Sequence, residues 1–401
     1  MNLKKVALIP LMAALLVGCG AGNGGKKGDG SSQQGGEDSF DVSEPTGEVV
    51  TKDVAKQAFT SAASAFVGQN NIGLDLTHTE VEAKYDMRTP YPVSETELGM
   101  IDYVSLSGKV SDVSLKVRAE NLQSQNPNQE LKASVQAGLN AEVKGKVATG
   151  ANEQTGAIEY TNINLGGALA AEAYLVGNEP YVNVPESNAK TVNDALDFLV
   201  GMGLIDAEDI PPLEFPMKYH FTNIGLDLTG IKEGASEAVE EIGDIFDELG
   251  QMPSEIGTLK FIKESESKYA IYADINYEET YKETIADVEY VFNSVKVVAK
   301  ALAEFDASVG LTKVAASVEF ASYTNVISAL YDGEAEDIEG YSKELLESHY
   351  QEIAVKGQAQ LGFVYGDNAK VQLPADLASY TVIDLGSDEG QEDGGDENPL
   401  A

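Results

Sequence analysis

The segment LKASVQAGLNAEVKGKV, residues 131–147, decides the fold class. Apolar residues occupy every second position from Leu131 to Val147, with Gly145 in phase, and mainly polar side chains stand between them. This period-two alternation predicts a β-strand with one buried and one solvated face. It also favours an antiparallel sheet, because parallel sheets are covered on both faces. The segment is much longer than the usual strand of ~5–6 residues, which favours a large curved sheet.

Other segments alternate in the same way. Residues 101–119 change phase near Ser111 and Asp112, which predicts a bulge or a turn, and residues 307–320 slip near Thr312 and Lys313. Apolar residues also share one face within residues 165–175, 269–277 and 353–363. The body of the chain is therefore predicted to be rich in long antiparallel strands.

A few segments have helical spacing instead. Residues 54–66 and 192–200 carry apolar residues at helical intervals, with Thr191 placed to cap the second segment. Residues 231–249 set an apolar stripe opposite acidic residues, which predicts an amphipathic helix that covers a sheet face or groove. Residues 285–305 also fit a helix, although their β-branched residues leave a strand possible. The predicted fold class is α+β, with curved, half-barrel-like antiparallel sheets covered by a few helices.

The sequence repeats itself. The heptapeptide NIGLDLT occurs at residues 71–77 and again at 223–229. Residues 174–185 and 363–374 share a second pattern of strand, glycine-containing hairpin, strand and terminating proline. We favour a tandem duplication, with one unit at residues 49–190 and a second at 191–386. The alternative is one large sheet that uses similar turn chemistry twice.

The N-terminus carries an export pattern. Lys4 and Lys5 precede a short apolar run, residues 6–17, and Cys19 is the only cysteine of the chain. The run is shorter than the ~20 residues that span a bilayer, which favours a secretory signal over residues 1–18. The stretch ending at Cys19 resembles the lipobox of bacterial lipoproteins. That resemblance implies a diacylglycerol on the Cys19 sulfur, and two acyl chains suffice for stable anchoring.

The segments that flank the body are polar. Residues 19–48 are predicted to form a disordered tether, residues 387–401 an acidic disordered tail, and the folded body is expected to start near Val49. The net charge of −39 argues against nucleic acid and anionic lipid headgroups as partners. The acidic stretch 332–339 lacks the spacing of a calcium-binding EF-hand loop, so no metal is predicted.

No catalytic motif is present. The three histidines, His78, His220 and His349, lie in separate segments, and the chain has no Gly-x-Ser-x-Gly, P-loop or His-Glu-x-x-His pattern. The sequence therefore predicts neither an enzyme nor a cofactor.

A helix followed by long strands and a Tyr-x-x-Gly-x-x-x-Tyr hairpin that ends at proline resembles the LolA/LppX-like envelope lipoproteins and carriers. The matching residues are Tyr174, Gly177, Tyr181 and Pro185 in the first half, with Gly366 and Pro374 in the second. The resemblance implies a curved half-barrel with helices across its mouth and a hollow that holds acyl chains or other apolar ligands. Tyr174, Tyr181 and Phe363 would then line the hollow.

These observations favour a lipid-anchored binding protein on the extracytoplasmic face of a bacterial cell membrane, which holds a lipid or other apolar ligand without catalysis. The alternative is a structural or interaction lipoprotein at the cell surface. Its core would be filled by its own side chains, and its surface would meet a protein partner or cations.

Overall fold

The computed structural model describes residues 40, 42–94, 97–151, 158–201, 203, 205–210, 213–228, 256–285, 287–325, 342–347 and 349–386. Several predicted features lie outside the described residues. They are the signal peptide with Cys19, most of the tether, the helix at 231–249, the acidic stretch 332–339 and the acidic tail.

The described part of the chain contains thirteen strands and four α-helices. The strands are β1 (Glu48–Val49), β2 (Asn71–Ser94), β3 (Glu97–Glu120), β4 (Lys132–Ala151), β5 (Ile158–Val176), β6 (Glu179–Val184), β7 (Met217–Thr222), β8 (Gly257–Lys263), β9 (Lys268–Ile285), β10 (Val288–Asp306), β11 (Gly310–Asn325), β12 (Tyr350–Tyr365) and β13 (Thr381–Asp384). The helices are α1 (Lys52–Val67), α2 (Pro127–Glu130), α3 (Ala189–Gly201) and α4 (Lys343–Glu347).

All thirteen described strands join one curved, unclosed sheet. Their order is β1-β8-β9-β10-β11-β12-β2-β3-β4-β5-β6-β7-β13. The pairs are antiparallel except for β13 with β7. Strands from both halves of the chain meet where β12 pairs with β2 and where β6 pairs with β7. The predicted fold class, long antiparallel strands in a curved sheet with few helices, is confirmed.

The predicted irregularities in the strands are also found. Asp112 has a φ of 51°, and the pairing of β3 with β4 shifts between Ser111 and Ser114. The pairing of β10 with β11 omits Thr312, since Glu304 pairs with Lys313 and the next residue of β10 pairs with Leu311. Each phase change in the sequence therefore marks a bulge.

Helix α1 lies on one face of the sheet, which we call the helix face. Its buried residues Ala55, Ala58, Phe59 and Ala62 form a cluster with Phe261, Tyr269 and Phe305. The Phe59 and Phe305 rings meet edge to face, with centroids 5.3 Å apart. The pairing register continues the helix face through Phe363 and Leu74 to Val135 and the other odd-numbered positions of β4.

Two terminal segments cross the opposite face, which we call the strap face. The N-terminal strap, residues 40 and 42–47, buries Val42 in a cluster with Ile262, Ala270, Tyr272, Leu302 and Ala315. Glu44 forms an ion pair with Lys260 at 2.6 Å. The packed body therefore begins by Phe40, and the expected boundary at Val49 was placed too late in the chain.

The C-terminal strap, residues 370–380, crosses the other end of the strap face. The Val371 amide donates to the Glu120 carboxylate at 3.0 Å, and Asp376 forms an ion pair with Lys218 at 2.5 Å. The strap ends at Tyr380, which packs on Tyr181 and is 5% exposed. It then continues into β13.

Within residues 285–305, Ile285 ends β9 and residues 288–305 belong to β10, so the helical interpretation of this segment was wrong and the alternative of a strand was right. The strand is covered on both faces: Phe305 packs in the α1 cluster, and Leu302 packs in the N-terminal strap cluster. Burial on both faces removes the alternation that marks a one-sided strand, and the remaining apolar positions happen to fit helical spacing.

The two copies of the heptapeptide adopt different structures. Residues 71–77 begin β2, whereas residues 223–228 follow β7 without forming a strand. Asn223 and Gly225 have φ values of 56° and 65°, which an extended strand does not allow. The second pattern is also shared only in part. Gly177 and Gly366 have φ values of 61° and 64°, but a strand follows only Gly177, while a short 3₁₀ helix follows from Gly366.

Candidate functional site

The three residues predicted to line a ligand hollow lie on opposite faces of the sheet. Phe363 lies in register with Ala173 through β2, β3 and β4, and so belongs to the helix face. Tyr174 follows Ala173 and pairs with Tyr181, so both tyrosines belong to the strap face. The structure therefore does not bring the three residues together.

Tyr174 lies under the C-terminal strap and is 3% exposed. Its hydroxyl accepts from the Gln136 amide at 3.0 Å and donates to Glu172 at 3.1 Å. Burial raises the pKa of Tyr174 to about 12, and the nearby Glu172 carboxylate acts in the same direction. The side chain is thus neutral and packed, without surface left to line a hollow.

Tyr181 belongs to an aromatic stack on the same face. Its ring stacks on His220 with centroids 4.1 Å apart, and Tyr380 meets it edge on at 6.0 Å. The Nε2 atom of His220 lies 2.9 Å from the Glu179 carboxylate. Burial raises the pKa of Tyr181 and takes that of Tyr380 to about 12. The chain's own aromatic rings therefore fill the space beside the first hairpin.

Phe363 packs beneath the C-terminal end of α1. The Phe66 ring meets the rings of Phe363 and Tyr365 edge on, with centroids 6.5 and 6.3 Å away. The Tyr365 hydroxyl donates to the carbonyl of Leu311, and burial raises the pKa of that hydroxyl well above its usual range. Phe363 is therefore part of the packing that holds α1 on the sheet.

The three histidines remain apart. His78 lies against the Phe40 ring at 5.1 Å, His220 stacks on Tyr181, and His349 is 4% exposed next to α4. Within the described ranges, no three His, Cys, Asp or Glu side chains group as metal ligands do.

The helix face is apolar and incompletely covered in the middle of the sheet. We call this region the helix-face trough, and its residues are Val81 and Ala83 on β2, Gly108 and Val110 on β3, Ala141 and Val143 on β4, and Gly357 on β12. Val143 is 39% exposed, and Val135 farther along β4 is 38% exposed. The face that the alternation predicted to be buried therefore remains accessible here.

Two glycines, Gly108 and Gly357, leave positions in the trough without side chains. A methyl group on Gly108 would have only the Glu142 carbonyl oxygen within 4 Å, at 3.8 Å, and one on Gly357 would meet only ordinary contacts from 3.5 Å outward. A methyl group is therefore accommodated at both positions without displacing a neighbour. The sequence analysis noted that Gly145 stands at an apolar position of the alternation in β4, but it did not single out Gly108 and Gly357. Both could have been found in the same way, because each stands at an apolar position of the alternation in its own strand.

The strap face of the same strands is charged. One register row crosses β11, β12, β2, β3 and β4 with alternating sign, through Glu319, Lys356, Glu82, Lys109 and Glu142. Lys356 lies 3.5 Å from Glu319, and Lys109 lies 3.2 Å from Glu82. Lys109 also bonds Glu80 and lowers the pKa of that carboxyl. An apolar ligand is therefore suited to the helix face and not to this row.

Helix α3 protects the free edge of β5. The Thr191 hydroxyl donates to the Ala168 carbonyl at 2.9 Å, and the Asn188 amide donates to the Ala170 carbonyl. Thr191 lies inside the helix, so its predicted role as the cap was wrong. Gly167 allows the close approach, because a Cβ there would overlap the Thr191 side chain.

A polar groove of about 600 Å³ lies beside the start of α3. Its lining carries both charges and amides, from Lys109, Asn140, Glu142, Asn164, Lys190 and Asp194. Lys190 and Asp194 already pair with each other, and Lys109 is occupied by Glu80 and Glu82. This groove does not suit an apolar ligand.

Among the described residues, no helix combines the length and the apolar character needed to cross a membrane. No protein-family model matches the chain, and no curated protein matches it. A solved structure with partial likeness is the InvG secretin domain β-barrel of the Salmonella SPI-1 injectisome. The two chains are 7% identical, and the match covers 78% of this chain. It covers 66% of the secretin-domain chain, so this chain spans slightly less than two thirds of that chain's length. Its TM-score of 0.11 carries no argument about fold or function.

Proposed function

We propose that this chain is a lipid-anchored binding protein of the extracytoplasmic face of a bacterial membrane, and that it holds an apolar ligand on the helix-face trough. The proposal includes no catalytic step. The observation that carries it is the accessible apolar surface at Val143 in the trough and at Val135 farther along β4, with room for a larger side chain than hydrogen at Gly108 and Gly357. The Cys19 sequence supports the anchor.

The physical driving force is burial of apolar surface. Each methylene moved from water onto such a surface contributes ~0.8 kcal/mol, so an acyl chain is a suitable ligand class. The net charge of −39 disfavours an anionic headgroup close to the protein. The ligand class that fits is therefore an acyl chain with a neutral or cationic headgroup.

The proposal is tested by measuring the lipid that co-purifies with the protein and the binding of an added lipid probe. Both measurements use the full chain with Cys19→Ala, because this substitution removes the anchor's own acyl chains. Solvent extraction with mass spectrometry should recover lipid, and a fluorescent fatty amine should bind saturably. Gly108→Leu fills the trough and should weaken binding about tenfold or more. Ser107→Leu is the matched control. Residue 107 is next to Gly108 in the sequence, but its side chain points to the strap face.

The outcome depends on the difference between the two leucine variants. Urea unfolding of both variants first establishes that they are folded. A preparation without lipid, combined with equal probe binding by both folded variants, contradicts binding at the trough. Membrane fractionation tests the anchor separately: wild-type protein should be membrane-bound and Cys19→Ala released.

The second candidate is an interaction lipoprotein with a filled core. The observation that favours it is the packing of Tyr174, Tyr181 and Phe363 against side chains of the chain itself. This candidate predicts no co-purified lipid and a reproducible protein partner in crosslinking of intact cells.

A further inference from the structure

Among the described strands, β13 forms one end of the sheet, and none of them pairs with its outer edge. Within the described residues it pairs only with β7, in parallel, with Thr381 opposite Tyr219 and Asp384 opposite Thr222. Val382 is 62% exposed, and Leu385, just beyond the strand, is 59% exposed. Strand β13 is four residues long, whereas the terminal strand at the other end of the sheet, β1, has only two.

The backbone groups on this edge point outward. Leu385 donates its amide to the Thr222 carbonyl at 3.2 Å, which sets the ladder between the two strands. Successive residues of a strand direct their N–H and C=O groups to opposite sides, so Val382 and Asp384 direct theirs away from β7. Unpaired groups of this kind form a template for another strand.

The charge around the edge selects the partner. The Asp384 side chain accepts from the Asn223 amide at 3.0 Å and from the Gly386 amide at 2.9 Å, and these bonds lower the pKa of the carboxyl. Asp384 is therefore ionised at neutral pH. A second copy of a chain with net charge −39 would be repelled. An extended cationic segment matches both the edge and the charge.

We propose that the outer edge of β13 receives an extended, lysine- or arginine-rich segment of another protein as an additional strand. The Val382 and Asp384 backbone groups would supply the hydrogen bonds, the exposed Val382 side chain an apolar contact, and the Asp384 carboxylate the preference for basic side chains. This interaction surface is independent of the helix-face trough.

The probe is a fluorescein-labelled Lys-Val-Lys-Val-Lys-Val-Lys peptide, with a peptide carrying Glu in place of each Lys as its counterpart. Anisotropy titrations of the full chain should show saturable binding of the basic peptide alone. Hydrogen exchange should slow across residues 381–385 when the peptide is bound. Val382→Pro removes an outward N–H and should weaken binding about tenfold. Val382→Ala retains the N–H and loses only the apolar contact, so it should bind less tightly than the wild type but more tightly than Val382→Pro.

Asp384→Lys is a second variant, which retains the backbone N–H at residue 384, so the test does not depend on tolerance of proline. It should weaken binding of the basic peptide and improve binding of the acidic one. Equal binding by the wild type, Val382→Pro and Asp384→Lys overturns the proposal, as does the absence of binding by the wild type. Concentration-dependent dimerisation through β13 also overturns it, because the edge then receives a second copy.

Discussion

Burial of Val42 predicts that part of the expected tether stabilises the fold. Val42→Ala removes the equivalent of two methylenes from a site that is 9% exposed. At ~0.8 kcal/mol per methylene plus a cavity contribution, the free energy of unfolding should fall by about 2 kcal/mol. The cavity would face Ile262 and Ala270, which are 1% and 0% exposed, so little rearrangement is available to fill it.

Val49→Ala is the matched control. Val49 lies seven residues later, inside the boundary expected from the sequence, yet it is 65% exposed on β1. Its substitution should change stability by less than about 0.5 kcal/mol. A body that begins at Val49 predicts the opposite ranking: Val42→Ala, in the tether, would not change the free energy of unfolding, and Val49→Ala, in the body, would lower it.

Urea unfolding followed by far-UV circular dichroism measures both variants, with the midpoint shift read at unchanged m-value. The reasoning is refuted if Val42→Ala is no less stable than Val49→Ala. In that case the N-terminal strap does not contribute to the packed body in solution.

Two further predictions concern α3 and the strap tyrosines. Gly167→Ala should force Thr191 away from the β5 edge and speed hydrogen exchange across residues 189–201, whereas Gly201→Ala, with nothing within 4 Å of its added methyl group, should not. The pKa of Tyr380 rises from 10.0 to about 12 in the folded chain, so its stabilising contribution is complete below pH 10. The free energy of unfolding should fall as the pH rises from 10 toward 12, because the unfolded state ionises first. Tyr380→Phe should make that fall shallower, and an identical slope would contradict the assignment.

The parts of the fold that could be predicted are those where one face of a strand meets water. The alternation in β4 is complete, and the bulge in β3 appears in the sequence as a change of phase at Asp112. β10 could not be read in this way, because α1 covers one of its faces and the N-terminal strap the other. The alternation signal depends on solvent, so it fails where tertiary packing adds a second cover.

The N-terminal strap was missed for a related reason. A segment that contributes Phe40 and Val42 to the core has too few apolar residues to show a period, and it follows a polar, glycine-rich stretch. The separation of the candidate ligand residues has a different cause. Tyr174 and Phe363 occupy corresponding positions of similar sequence patterns, but they lie on opposite faces of the sheet. Similar turn chemistry fixed a similar φ at Gly177 and Gly366 without fixing what packs against the strands beside them.

The two faces of the sheet set the kind of ligand each can accept. On the strap face, both terminal straps pack over the ends, and the row from Glu319 to Glu142 already places opposite charges side by side. On the helix face, α1 buries one end, while Val135 and Val143 remain exposed near the middle. Polar groups on the first face exchange water for one another at little net gain, whereas the partly exposed apolar groups on the second face still bear part of the free-energy cost of contact with water. Free energy for binding an apolar ligand is therefore available on the helix face, which is why Gly108→Leu tests the proposed function and Ser107→Leu does not.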